Sequence, residues 1–178
     1  MRIVGGSLKG RIFRPGKSFK ARPTTDIAKE ALFNILQNRY DLSELKVLDL
    51  FSGTGSISFE FASRGCTNIT SVEMNFNHYK FIKETSKALE LDFMRILKFD
   101  AFKFATKTDQ KYDLIFADPP FDLKTFKNVP TVVMESDILN EDGIFILEHP
   151  KEFDFSKHPN FVEVRKYGKV NFTFFEKK

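Results

Sequence analysis

The apolar and polar positions of this chain fall into two regimes, an irregular N-terminal stretch and a long alternation of short apolar runs with helical stretches. In the first, Ile27, Ala28, Ala31, Leu32, Ile35 and Leu36 lie on one face of a helix, which predicts a helix over about 25–38. Thr24, Thr25 and Asp26 offer N-cap oxygens at its start. Before it, the paired glycines of RIVGGSLKGRIFR predict a short β-hairpin with strands near 2–5 and 9–14, and 15–24 reads as a loop. From Lys46 onward the pattern predicts strands over 46–50, 69–73, 94–98, 112–117, 143–149, 161–166 and 171–175. Helices are predicted over 56–63, 76–91, 101–107 and 124–139. Strands alternating with helices imply βαβ units, hence an α/β fold built on a parallel sheet. The last two strands are separated by little more than Tyr167-Gly168-Lys169, which fits an antiparallel hairpin at one edge.

Charge sharpens the division. The net charge is +4, yet residues 1–40 carry nine Lys or Arg against Asp26 and Glu30, leaving the rest acidic. A basic extension over 1–40, joined near 39–45 to a domain over 41–178, points to a polyanionic partner such as nucleic acid. With 178 residues and 42% hydrophobic content, the chain suits one well-buried domain. A single cysteine, Cys66, excludes an internal disulfide and fits a reducing compartment. No signal peptide is expected, and no run of 18 apolar residues predicts a membrane span. His78, His149 and His158 show no metal spacing, so no metal is expected.

The chemistry concentrates at predicted strand tips, where parallel sheets bind ligands. The strand of VLDLFSGTGSISFE ends at Asp49-Leu50-Phe51, followed by Gly53 and Gly55 and then a helix. Such glycines let the backbone turn and a ligand approach, but the third glycine of a dinucleotide fingerprint is replaced by Ser58, and no P-loop lysine follows. Glu73, at the next tip, suits the hydroxyls of a ribose. Asp100, at the third, suits an adenine amino group with Phe99, Ala101 or Phe102 beside the ring, and Asp49 can face an ammonium. A nucleoside without phosphates, such as S-adenosylmethionine (SAM), fits these groups. Each acid taken alone equally fits a helix cap: Glu73 for the helix near 76, Asp100 for the one at 101.

At the fourth tip, YDLIFADPPFD delivers Asp118-Pro119-Pro120-Phe121. Two prolines end the ladder and fix the backbone. An exocyclic amine of a base would donate to Asp118 and to the Pro119 carbonyl while Phe121 stacks on the ring. That geometry frees the nitrogen lone pair for attack on a methyl group by positioning and electrostatics.

RIVGGSLKGR, RPTTD, EALFNIL, DLFSGTGS, SRG, VEMN and FADPPF, in this order along the chain, resemble the RsmD family of bacterial 16S rRNA guanine-N2 methyltransferases. The resemblance implies a class I SAM-dependent methyltransferase (Rossmann-like) fold, a seven-stranded mostly parallel sheet whose last strand is antiparallel and inserted between its neighbours. It implies cofactor contacts at Asp49, Phe51, Gly53, Gly55, Glu73, Met74, Asp100 and Ala101. Catalytic and target-base roles are implied for Asp118, Pro119, Pro120 and Phe121, and rRNA contacts for Arg2, Lys9, Arg11, Arg22, Thr24 and Thr25. A cytoplasmic monomer acting on the assembled small ribosomal subunit is implied as well. The chain departs from the family pattern at Ser58, usually glycine and expected to matter little, and over 151–160, which matches no familiar pattern. The same Asp-Pro-Pro-Phe chemistry also serves an adenine-N6 methyltransferase on DNA or RNA. A basic RNA-binding assembly module that keeps the fold without catalysis is the third reading. SAM binding separates the module from the enzymes.

Overall fold

A computed structural model describes residues 1–16 and 24–177. The elements run α1 (Asp26–Arg39), β1 (Lys46–Leu50), α2 (Ser56–Ser63), β2 (Asn68–Val72), α3 (Phe76–Ala88), β3 (Arg95–Leu97), α4 (Ala101–Lys107) and β4 (Tyr112–Ala117). A 3-10 turn (Phe126–Asn128), α5 (Val129–Glu135), β5 (Leu139–Pro150), β6 (Phe161–Tyr167) and β7 (Val170–Glu176) follow. All seven strands form one sheet in the order β3-β2-β1-β4-β5-β7-β6. β1 pairs in parallel with both β2 and β4, so the chain reverses its direction of winding between β1 and β4. That switch point is where an open α/β sheet presents a ligand crevice. β7 is antiparallel to both β5 and β6 and lies between them.

Each sheet face carries its own apolar layer. Val47, Ile69, Leu114, Phe116, Ile144, Ile146, Phe172 and Phe174 face one side, where α1 adds Ala28, Leu32, Phe33 and Leu36 and the N-terminal stretch adds Ile3. Leu48, Leu50, Val72, Ile115, Phe145 and Leu147 face the other, under Phe104, Val129 and Val133. The strand and helix positions expected from the pattern are mostly found, with three corrections. The helix expected over 124–139 is cut to a 3-10 turn and the seven residues of α5, because Pro130 sits in its first turn and Asp137 (φ +51°) ends it. β5 consequently begins at Leu139, earlier than expected.

The N-terminal hairpin forms but is shorter than expected, the second correction: around an antiparallel Arg2–Ile12 bridge, Ile3 N–H donates to the Arg11 carbonyl (3.0 Å), Gly10 N–H to the Ile3 carbonyl (2.9 Å) and Phe13 N–H to the Met1 carbonyl (2.9 Å). Between its two strands the chain also bonds to α2. Ser7 N–H donates to the Ser63 carbonyl (2.7 Å), Leu8 N–H to Ser63 Oγ (2.9 Å), and Val4 N–H to Glu60 Oε2 (2.9 Å). Gly6 permits this approach, since a Cβ there would stand 1.8 Å from the Ser63 carbonyl oxygen. Third, α3 stops at Ala88 rather than running to 91; Leu89 caps it and Glu90 turns left-handed (φ +58°).

Candidate active site

Strand register gathers acids that lie far apart in sequence. Asp49 pairs with Phe116 on β4, and Ile146 pairs with Phe116 on β5. The register ends at the Ala117–Leu147 pair, so Asp118, the first residue past β4, emerges beside Glu148 of β5, close enough for the two carboxyls to act on each other. Side chains alternate in direction along a strand, so Asp49, Asp118 and Glu148 share the face that α1 covers. Asp49 and Glu148 are buried and Asp118 is half-buried. Burial lifts the Asp49 carboxyl to about 7, against the pull of the Ser58 hydroxyl, and nearby Glu73 adds to the lift. Burial likewise lifts Glu148 to about 7, opposed by a hydrogen bond from Thr24 Oγ1 to Glu148 Oε2 at 2.6 Å. Asp118 is pushed well above the usual carboxylate range by burial first, then by Glu148 and Asp49. Among the described residues, no group of three or more His, Cys, Asp or Glu has the arrangement to hold a metal ion.

Beyond β1 the backbone turns in a left-handed run, with Phe51 at φ +59° and Gly53 at φ +55°, before Gly55 caps α2. Left-handed φ at a phenylalanine is strain of the kind that collects at ligand sites. A Cβ on Gly53 would meet nothing closer than the Phe51 carbonyl oxygen at 3.9 Å, so the space over this turn is open. Glu73 braces it: its carboxylate accepts the N–H of Gly53 (2.8 Å) and of Asn75 (2.7 Å). Asp100 caps α4 by accepting Lys103 N–H at 2.9 Å, so the helix-cap reading holds for it whatever else it binds. α3 is capped by Asn75, not by Glu73. Met74, Phe76 and Phe99 stand exposed along this edge, while Ala101 is buried.

Asp118-Pro119-Pro120-Phe121 leaves β4 beside this turn. The Pro120 carbonyl accepts Leu123 N–H at 2.9 Å, closing the loop. The Phe121 ring, 43% exposed, rests edge-on against Phe126 at 6.2 Å. Phe126 stacks on Phe153 at 4.4 Å, and Phe153 continues to Phe155. The unfamiliar stretch 151–160 thus supplies, through Phe153 and Phe155, the aromatic wall behind Phe121 and Phe126.

The residues expected to contact RNA divide. Lys9 and Arg11 are exposed, and Arg2 is held by Asp26 at 2.8 Å. Arg22 lies outside the described residues. Thr25 caps α1 and Thr24 turns inward to Glu148. Sequence reasoning missed three participants. Glu148 carried no signal, being one acid in an apolar strand. Ser58 is no passive glycine replacement: it is fully buried, donates to Asp49 Oδ2 at 2.5 Å and lies 2.7 Å from Ser71 Oγ. Lys29, buried on α1, donates to the Arg2 carbonyl (2.5 Å) and to Ser56 Oγ (3.0 Å) and lies 3.8 Å from Glu60. A hollow of about 330 Å³, lined by Arg2, Thr24, Asp26, Lys29 and Ser56 among others, opens beside it.

The strand order, the inserted antiparallel strand and the glycine turn at the switch point define a class I SAM-dependent methyltransferase fold. A solved structure of the same fold, the Thermus thermophilus 16S rRNA N2 G1207 methyltransferase (RsmC) in complex with AdoMet and guanosine, overlays with a TM-score of 0.73 at 22% identity, covering 100% of this chain and 49% of that one. The family described as Conserved hypothetical protein 95 matches residues 1–176, and the chain belongs to it, the RsmD family. YlbH of Bacillus subtilis is 34% identical over 158 residues, 86% of this chain and 85% of its own length. Ribosomal RNA small subunit methyltransferase D of Escherichia coli K12 is 26% identical over 152 residues, 85% of this chain and 76% of its own.

Proposed function

We propose that this protein is a SAM-dependent rRNA methyltransferase that methylates the exocyclic N2 of one guanine in 16S rRNA, presented in the small ribosomal subunit. The observation that carries the reading is the adjacency, across the β1/β4 switch point, of an open glycine turn and a rigid Asp-Pro-Pro-Phe tip. The names of the E. coli relative and of the structurally similar RsmC complex support it.

The residues fit SAM. The turn over Gly53 is open, Glu73 stands at the β2 tip, and exposed apolar side chains flank the edge. When bound, SAM supplies an electrophilic methyl group. Glu73 keeps lone pairs for ribose hydroxyls, and Asp100 for an adenine amino group. Asp49 faces the ammonium, and Phe51, Gly55, Met74 and Ala101 complete the walls. On the substrate side, Asp118 and the Pro119 carbonyl accept the two N2 hydrogens, and Phe121 stacks on the base. The raised affinity of Asp118 for protons makes it competent to take the proton that N2 sheds on alkylation. Arg2, Lys9, Arg11 and Arg22 meet rRNA phosphates.

The test is transfer of labelled methyl from SAM to unmethylated small subunits, protein-free 16S rRNA and duplex DNA, with Asp118→Ala as control. N2-methylguanosine from subunits is expected, with no turnover in the variant and SAM affinity within a few-fold of the parent. N6-methyladenine as product would overturn the base assignment. A loss of SAM affinity beyond about tenfold in Asp118→Ala, roughly 1.4 kcal/mol, would overturn the assigned division of labour.

A further inference from the structure

Glu148 has no part in the chemistry so far, yet it stands next to Asp118 on the adjacent strand and on the same sheet face. A buried carboxylate beside the group that would hold the exocyclic amine is an expensive feature to keep without a donor. The described residues bring Glu148 one hydrogen bond, from the Thr24 hydroxyl to Oε2. Thr24 lies just before α1, so the anchor comes from the N-terminal segment rather than from the sheet. A guanine presents two donors side by side on its Watson–Crick edge, N2–H and N1–H. Two carboxylates on neighbouring strands match that pair. An adenine placing N6 at Asp118 would turn its N1 lone pair toward Glu148, acceptor against acceptor.

Resting on the guanine-N2 reading above, we propose that Glu148 is the base-reading residue: its carboxylate accepts the guanine N1–H while Asp118 and the Pro119 carbonyl hold N2, and Thr24 fixes its orientation. The arrangement selects guanine over a purine that offers an amine without an adjacent N–H. Thr24 is a positioning residue here, and it ties base reading to the segment that carries the exposed Lys9 and Arg11. An N1–H donor also favours the ionised carboxylate, which burial otherwise disfavours.

The experiment uses 16S rRNA assembled into subunits with the target position, mapped first with the parent enzyme, occupied by guanine or by 2-aminopurine. 2-Aminopurine keeps the 2-amino group but has an unprotonated N1. The parent should prefer guanine in kcat/KM by at least about 100-fold, as sites that hydrogen-bond a substrate N–H do. Glu148→Gln, whose amide can donate to N1, should lose guanine activity and narrow that preference by at least about tenfold. Thr24→Val should narrow it less, and Thr24→Ser should restore it. SAM affinity, measured on each variant, is expected to stay within a few-fold. Equal losses on both bases in Glu148→Gln, or a parent that does not distinguish them, would overturn the assignment. If Glu148→Gln does not fold, an unchanged preference in Thr24→Val overturns it. Failure of the guanine-N2 reading itself looks different, since the parent then yields no N2-methylguanosine at all.

Discussion

Ser58→Ala probes how the acid at the tip of β1 is kept usable. The buried Ser58 hydroxyl donates to Asp49 Oδ2 at 2.5 Å and holds the carboxyl at about 7, where burial alone would carry it higher. A hydrogen bond to a charged group contributes about 1.5–3 kcal/mol. One pKa unit corresponds to about 1.4 kcal/mol, so losing the hydroxyl should raise Asp49 to roughly 8–9. Asp49 is assigned to the ammonium of SAM, so binding scales with the ionised fraction. At pH 7.5 the variant should then bind SAM about 3- to 25-fold more weakly than the parent. The deficit should grow toward pH 6.5 and shrink toward pH 9.5, because the parent titrates first. SAM's own titration cancels in the ratio. Calorimetric Kd values for both enzymes across this range test it. A ratio that stays constant with pH would mean that Ser58 acts through packing alone, and the electrostatic reasoning would fail.

Three further outcomes are expected. Lys29→Met removes the buried ammonium that donates to the Arg2 carbonyl and Ser56, so the protein should lose about 2–4 kcal/mol. The corresponding fall in Tm is about 5–15 °C, and a fall below about 2 °C would show that Arg64 and the Val4 N–H satisfy Glu60 unaided. The folded carboxyls of Asp49 and Glu148 titrate at about 7, above their unfolded values, so their stabilising protonation is lost as pH rises through that point. The ligand-free protein should therefore be less stable at pH 8 than at pH 6.5 by about 1–2 kcal/mol, a few degrees in Tm, and Glu148→Gln should reduce the difference; a higher Tm at pH 8 would contradict it. Arg11→Ala should weaken RNA binding and flatten its log–log salt dependence by about 0.7–0.9, with an unchanged slope meaning that Arg11 points away from the RNA.

How much of this was legible in the sequence follows from the range of each interaction. The alternation of apolar runs with helical faces, the glycine turn after β1 and the Asp118-Pro119-Pro120-Phe121 tip are written in contiguous residues, because period, φ freedom and missing N–H groups are properties of the local chain. They yielded the α/β class and a parallel sheet, though not the order of its strands, and with the family motifs they yielded the inserted antiparallel strand. The ends of α3 and α5 were missed, since Asp137 and Glu90 take left-handed φ without being glycine. The N-terminal hairpin was legible in its paired glycines, but its shortening was not, because residues 4–8 turn to α2 for their backbone partners. Glu148, Ser58 and Lys29 acquire their meaning only when register and packing bring β4, β2 and the N-terminal segment against them. Local sequence sets which elements form and which chemistry sits at their tips. Tertiary structure alone decides which of those groups share a face, because side-chain direction depends on strand pairing across long separations, and the ionisation of a buried acid depends on what that pairing places beside it.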